Sequence, residues 1–392
     1  MGLFSKAGGD ELMLVFDIGS SSVGGALFFM QKNKIPKIVY AIREPILTED
    51  KIDFERFLVL TAKALETVAN KISKQRFGGP SRIFCVLSSA WYVSQTRVVH
   101  LEKSAPFVFT DKLADSLIQK EVSVFEEEYL KKYASNNAKV RPIELKNIKT
   151  VLNGYETADP INQKARDVEM TIFVAMSGEQ VLKKFEEVIH KHFHHPKINF
   201  TSFIMTSFAT VRDMYVHQDN FLLIDIGGEV TDISMIKKNI LRESVSYPMG
   251  RNFIIRSIAT ALSITLDEAK SFISLSKAGH AAPEVEKKIE PYLTKAKNEW
   301  LRKFQNSLAN ISTDISIPAV IFIAIDQEFA DFFGEIIRTE QFNQYTLTER
   351  KFEIMFLNNQ ALHGAAEFEE NVVRDPFLII ESIYINRFLN KT

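Results

Sequence analysis

Leu14-Val-Phe-Asp17-Ile-Gly19-Ser-Ser-Ser-Val23 decides the fold when it is set beside Leu222-Leu-Ile-Asp225-Ile-Gly227-Gly-Glu-Val-Thr231. Each stretch is an apolar run ending on Asp, then Gly for a tight turn, then small or hydroxyl residues. Each continues into a second strand pattern, through Phe29 in the first case and Ile236 in the second. One such stretch reads as an ordinary strand turn with Asp as turn former. Two in the same context, a domain's length apart, read as duplicated halves facing each other across a cleft.

The chemistry of the paired loops points to bound phosphate. A nucleotide triphosphate needs backbone N–H donors around its phosphates and carboxylates that hold Mg2+ through water. Gly19, Ser20, Ser21 and Ser22 offer N–H groups and hydroxyls without bulky side chains, and Gly227, Gly228 and Thr231 offer the same from the opposite side. Asp17 and Asp225, each at a strand's C-terminal end, are expected to face one metal ion.

Around these loops the pattern is α/β. Helical spacing of apolar residues predicts a helix over 54–72, and Ile83 to Leu87 reads as a buried strand. Trp91 to Val99 alternates like a half-exposed strand. Thr110-Asp111 opens a helix that runs into an acidic stretch, and Ile143 to Tyr155 and Val168 to Met176 read as strands. An amphipathic helix is expected over 178–192. Past the second loop, helices are expected at 252–261, 266–275 and 283–310, then a buried strand at 317–325 and a helix at 329–338. A helix over 375–391 closes the chain. It is expected to pack on the first half rather than anchor in a membrane, because its apolar residues run nearly all the way round.

Composition sets the remaining bounds. Hydrophobic residues make up 46% and charged residues 25%, ordinary for a globular chain, and the formal net charge of −1 gives no general field toward nucleic acid or anionic lipid. The single cysteine, Cys85, sits in an apolar run and excludes an intramolecular disulfide framework. No stretch reads as a secretory signal or a membrane span. The histidines of His190-Lys-His192-Phe-His194-His195 fall at a helix C-terminus, where cationic side chains suit the dipole better than they suggest a metal site.

The two Asp-Ile-Gly loops, with the segment following Ile83, resemble the FtsA/PilM branch of the actin–Hsp70 superfamily along nearly the whole chain. The resemblance implies an actin-like, two-lobed α/β fold, a duplicated ribonuclease-H-like unit with an inserted α+β subdomain of SHS2 type. It divides the chain into a first half-domain at 10–80 with a closing segment at 366–392, and an insertion at 81–195. The second half-domain then covers 196–250 and 316–365, with a helical upper part at 251–315. Val151-Leu-Asn-Gly-Tyr155 and Val168-Glu-Met-Thr-Ile172 resemble FtsA, whereas Met1-Gly-Leu-Phe-Ser-Lys6 is similar to PilM starts.

The resemblance also implies ATP and Mg as cofactors and adds Gly250 and Glu268 to the nucleotide-binding set. Departures from the family fall on the base side. Only Gly250 remains of a usual glycine pair, and Glu268-Ala269-Lys270 keeps one Glu of a longer acidic and basic pattern. Phe322-Ile-Ala-Ile325-Asp326-Gln327 lacks the adenine-side glycines, so Cβ atoms stand where backbone should approach the base. The expectation is a cytoplasmic scaffold at the inner face of the membrane, at most a weak ATPase, that couples a cytoplasmic assembly to membrane proteins. Its implied partners are an FtsZ-type tail in division or the tail of a pilus inner-membrane protein, with self-polymerisation as a further property and no nucleic acid. The alternatives are a degenerate scaffold that no longer binds nucleotide and a small-molecule kinase. For the kinase, no general base stands out in Ser202 to Thr210.

Overall fold

The computed structural model describes residues 11–31, 34–133, 139–194, 197–277, 282–311, 317–339 and 352–389. The N-terminal residues 1–10 and His195 lie outside this set.

The first motif becomes a hairpin, β1 (Glu11–Ile18) and β2 (Ser22–Met30), continued by β3 (Lys37–Pro45). Helix α1 (Phe54–Ser73) follows, its N-terminus capped by the Asp53 carboxylate on the Arg56 N–H at 2.9 Å. Strand β4 (Arg82–Leu87) then pairs parallel to β1, with Asp17 opposite Val86. Between β4 and the helix α3 (Glu179–His192) lies a separate sheet with its own helix: β5 (Val93–Val108), α2 (Asp111–Tyr133), β6 (Val140–Leu152), β7 (Tyr155–Glu156) and β8 (Lys164–Gly178). That sheet has the order β5-β8-β6-β7 and a core built on Phe109, Val122, Phe125, Val168 and Met170.

After α3 come β9 (Ile198–Ser202) and α4 (Phe203–Met214). The second motif then repeats the plan in β10 (Phe221–Ile226), β11 (Thr231–Lys237) and β12 (Ile240–Tyr247). Three helices follow, α5 (Arg251–Leu262), α6 (Leu266–Lys277) and α7 (Pro283–Ile311), then β13 (Val320–Ile325), α8 (Gln327–Thr339) and β14 (Glu353–Phe356). The last described elements are β15 (Glu367–Phe368), α9 (Pro376–Tyr384) and a π-helical turn at Ile385–Leu389.

The duplication is explicit in the sheets. The first runs β15-β3-β2-β1-β4-β9 and the second β12-β11-β10-β13-β14. In both, a central strand carries the motif Asp, with its hairpin partner on one side and a parallel strand on the other. This is the actin-like, two-lobed α/β fold that the paired loops imply.

The boundaries differ from those read off the sequence. β4, α3 and β9, assigned to the insertion or to the second half, belong to the first lobe. β9 pairs parallel with β4, and Val181, Leu182, Phe185 and Ile189 of α3 lie in the first lobe's core with Phe203 and Phe208 of α4. The inserted unit is therefore 93–178, shorter at both ends than 81–195. The physical reason is sheet completion: without β4 and β9, one edge of β1 would be left unpaired in a buried core. Helices α5 to α7 are likewise no separate layer, since Ile254, Ile258, Trp300 and Phe304 share one core with β10 and β13.

Helix α9 closes the first lobe. Leu378, Ile379, Ile380, Glu381, Ser382, Ile383 and Tyr384 are all buried, which leaves no face for a membrane. Its carboxylate cap, Asp375, accepts from the Phe377 and Leu378 N–H groups. No helix among the described residues is long and apolar enough to cross a membrane.

Candidate functional site

The loops after β1 and β10 meet at the centre of the molecule, and they touch. A Cβ built on Gly228 would lie 2.7 Å from Ser21 Cβ and 2.8 Å from the Ser20 carbonyl oxygen. One on Gly227 would lie 2.8 Å from Ser20 Oγ. The Glu229 N–H donates to Ser20 Oγ at 3.1 Å, so one loop hydrogen-bonds the other directly.

Several donors that could cradle a phosphate are engaged within the protein. Gly19 N–H donates to the Ser22 carbonyl at 3.1 Å, and Gly227 N–H to the Val230 carbonyl at 3.0 Å. At the N-terminus of α5, the Arg251 and Asn252 N–H groups donate to the Gly227 and Gly228 carbonyls at 3.0 and 2.9 Å. A helix start that could face an anion instead caps the second loop. Gly250 makes this approach feasible, because a Cβ there would stand 2.3 Å from the Gly227 carbonyl oxygen. The Thr231 hydroxyl is turned to the Met249 carbonyl at 2.8 Å, beside the indole of Trp300.

Asp17 faces a cation supplied by the chain itself. Across β1, β2 and β3 the register sets Asp17 opposite Gly24, and Gly24 opposite Arg43. Gly24 leaves the gap through which the guanidinium reaches: a Cβ there would meet Arg43 Nη2 at 2.7 Å. Arg43 pairs with Asp17 at 2.7 Å and with Asp375 at 2.6 Å, and donates to Ser22 Oγ at 3.0 Å. Burial pushes the Asp17 carboxyl up, against the pull of Arg43. Glu381 of α9 is fully buried beside this group; burial and then Asp17 raise its carboxyl well above the usual range.

Asp225 stands on the opposite side without a cation of its own. Desolvation, then the carboxylates of Asp232, Asp17 and Asp326, push it well above the ordinary carboxylate range. Asp232, paired with Asp225 in register, is pushed up to about 6 by burial, against hydrogen bonds from Ser246 and Ser89. The base side is crossed by an ion pair between Arg251 and Asp326, with the Arg251 guanidinium 5.5 Å from the Phe329 ring centroid.

Further along α5, Arg256 forks onto Glu229 with two bonds of 2.7 Å and donates through Nε to the Glu49 carbonyl in the first lobe at 2.7 Å. Asn252 Nδ2 adds a third bond to Glu229 at 2.7 Å. The space bounded by Ser20, Glu229, Asn252 and Arg256 measures about 10 Å³, room for roughly one water. A nucleotide needs a pocket of about 300–1,000 Å³. A wider notch of about 510 Å³ opens outside, between Leu47 to Lys51 and Leu266, and neither Asp-Ile-Gly loop lines it.

Set against the sequence expectation, Asp17, Gly19, Ser20, Ser21, Ser22, Asp225, Gly227, Gly228, Thr231 and Gly250 come together at the lobe junction. Asp17 is taken by Arg43, the Gly19, Gly227 and Thr231 donors are engaged within the protein, and the space between the loops holds about one water. This closed arrangement therefore has no room for Mg-ATP, although Asp225 faces no cation among the described residues. Glu268 does not join them. It accepts from the Thr265 N–H at 2.9 Å and the Thr265 hydroxyl at 2.8 Å, forming the capping box of α6, and these bonds hold its carboxyl below the usual range. Arg43, Glu229, Asn252, Arg256, Asp326 and Glu381 carry the site's electrostatics and were not singled out beforehand for that role. Only Thr265-Leu-Asp-Glu268 signalled its arrangement locally, as a T-x-x-E cap.

No protein-family model matches the sequence, and no curated protein does. Among solved structures, a PilM–PilN type IV pilus biogenesis complex is similar at 11% identity, over 96% of this chain and 98% of that one, with a TM-score of 0.58. A Bacteroides thetaiotaomicron protein with actin-like ATPase fold and unknown function matches at 9% identity over 92% and 98%, with a TM-score of 0.39. The ethanolamine utilization protein EutJ from Carboxydothermus hydrogenoformans matches at 8% over 96% and 88%, with a TM-score of 0.39. At such identities a likeness speaks for the fold alone, and the first of these spans the lobes and the inserted unit together. The chain has an actin-like, two-lobed fold with an inserted unit, similar to that of the chain in this complex.

Proposed function

We propose that the chain is an actin-fold scaffold that docks the cytoplasmic tail of an inner-membrane protein of the pilus type, at the inner face of the membrane. The observation that carries this reading is the end-to-end likeness to the chain of the PilM–PilN complex, inserted unit included. A scaffold reading also suits a lobe junction in which Asp17, Glu229 and Asp326 are each paired with an arginine. The inserted unit at 93–178 is the natural docking element, because it projects its own sheet and core from a crossover of the first lobe. Membrane association then comes through the partner. The test titrates the full chain with synthetic cytoplasmic tails of the host's bitopic inner-membrane proteins, using the FtsZ C-terminal peptide as the competing case. Saturable binding of a pilus-type tail, lost when surface residues of 93–178 are changed, is the expected result. Binding of the FtsZ peptide alone would move the protein to division.

A further inference from the structure

The lobe junction carries Arg43, Arg251 and Arg256, each paired with a carboxylate of the same chain. In such a cleft the two glycine loops stand apart and aim N–H groups at phosphate, with metal between the carboxylates. Here the two loops touch each other, and the place beside the first carboxylate is met by a side chain of the same chain. The cation beside the first-loop carboxylate is Arg43, clamped by Asp17, Asp375 and Ser22 and stacked 5.2 Å from the Phe377 ring centroid. The bridge between lobes is Arg256, which holds Glu229 by a two-bond fork and reaches the Glu49 carbonyl. The fork fixes Arg256 rigidly within the second lobe, and from there its Nε reaches across to the first. The loops themselves are joined by the Glu229 N–H on Ser20 Oγ.

The charges at the junction are met in part by the chain itself. Asp17, Asp225, Asp232 and Asp326 converge on the junction, where like charges in a dry site repel strongly. Magnesium relieves this in a nucleotide site. In this chain Arg43 faces Asp17 and Arg251 faces Asp326, while burial pushes Asp225 and Asp232 toward the neutral acid, Asp225 further through the neighbouring carboxylates.

We infer that this protein holds its two lobes together without a magnesium nucleotide, through Arg256 on the Glu49 carbonyl and the Glu229 N–H on Ser20, and that its closed form is constitutive. The lobe angle is then set at folding rather than by a ligand, and a docked partner meets one fixed surface. This goes beyond the tail-docking role and is separable from it: tail binding can fail while closure stands, and the reverse.

The test uses the full chain and reads binding and shape, not turnover. Calorimetry and thermal melting are run with Mg-ATP and Mg-ADP at millimolar concentration, and small-angle scattering is run on wild type, Arg256→Ala, Glu229→Ala and Arg256→Lys. The expected result is no heat and no shift in melting temperature with either nucleotide. Arg256→Ala and Glu229→Ala should show a larger radius of gyration and faster proteolysis across 46–53, while Arg256→Lys falls between them and wild type. Saturable Mg-ATP binding by the wild-type chain overturns the inference. So does unchanged scattering in both Arg256→Ala and Glu229→Ala.

Discussion

The acid Asp232 shows how a single side chain at the junction carries pH dependence. It is nearly fully buried and its folded pKa is raised from the ordinary 3.8 to about 6. The folded state therefore binds its proton more tightly than the unfolded chain does. Stability from this group is fully present below the unfolded value and is lost as pH rises toward about 6, an effect of up to about 3 kcal/mol. Asp232→Asn keeps an acceptor for Ser246 and removes the ionisation. Relative to wild type it should gain up to about 3 kcal/mol between roughly pH 4 and pH 7, then stay level. Urea unfolding across that range measures it, and a difference that does not change with pH would contradict the assignment. The Arg43–Asp17 pairing belongs to the same scale, and it was illegible beforehand for a clear reason. Its partners meet through the cross-strand register of Asp17, Gly24 and Arg43, which no local pattern of residues specifies.

Elements were more legible than their membership. Long periodic segments such as 54–72 and 178–192 came out as α1 and α3 to within a residue or so, because apolar spacing reports which face is buried. What spacing does not report is the sheet against which that face packs. β9 and α4 look the same in sequence whether they open a second lobe or finish the first, and only the parallel pairing of β9 with β4 decides it. Glu268 illustrates the opposite case, where a local signature was present and a family pattern pointed elsewhere. Its carboxylate belongs to Thr265, one turn away at the start of α6. Glu268→Ala should raise hydrogen exchange in the first turn of α6 and lower the melting temperature slightly. Exchange at the Asp-Ile-Gly loops should not change, and a change there would return Glu268 to the junction.

At the scale of the whole molecule the inserted unit is tied down through one buried carboxylate. Glu144 of β6 accepts from the Ser202 N–H at 3.1 Å, the Ser202 hydroxyl at 2.8 Å and the Tyr384 hydroxyl at 3.0 Å. It thereby joins the insertion to the start of α4 and to the end of α9. Glu144→Leu strands three donors in a dry site and should destabilise the chain by about 3–5 kcal/mol. Glu144→Gln, which keeps an acceptor, should recover much of that loss in the same denaturant titration. Equal losses in both variants would argue that the contact acts through shape rather than hydrogen bonding.

Helix α9 comes last in the chain yet completes the lobe that comes first. Asn386 accepts from the Gln31 N–H across 355 positions of sequence, and Arg43 waits on Asp375 in the same way. During synthesis the opening sheet is therefore made early and left with one side bare while the entire second lobe emerges from the ribosome. Folding half by half in the order of translation is closed to this chain, since the earliest strands acquire their final cover only near the end. The nascent first lobe is an apolar surface in need of protection for nearly the whole of its own birth.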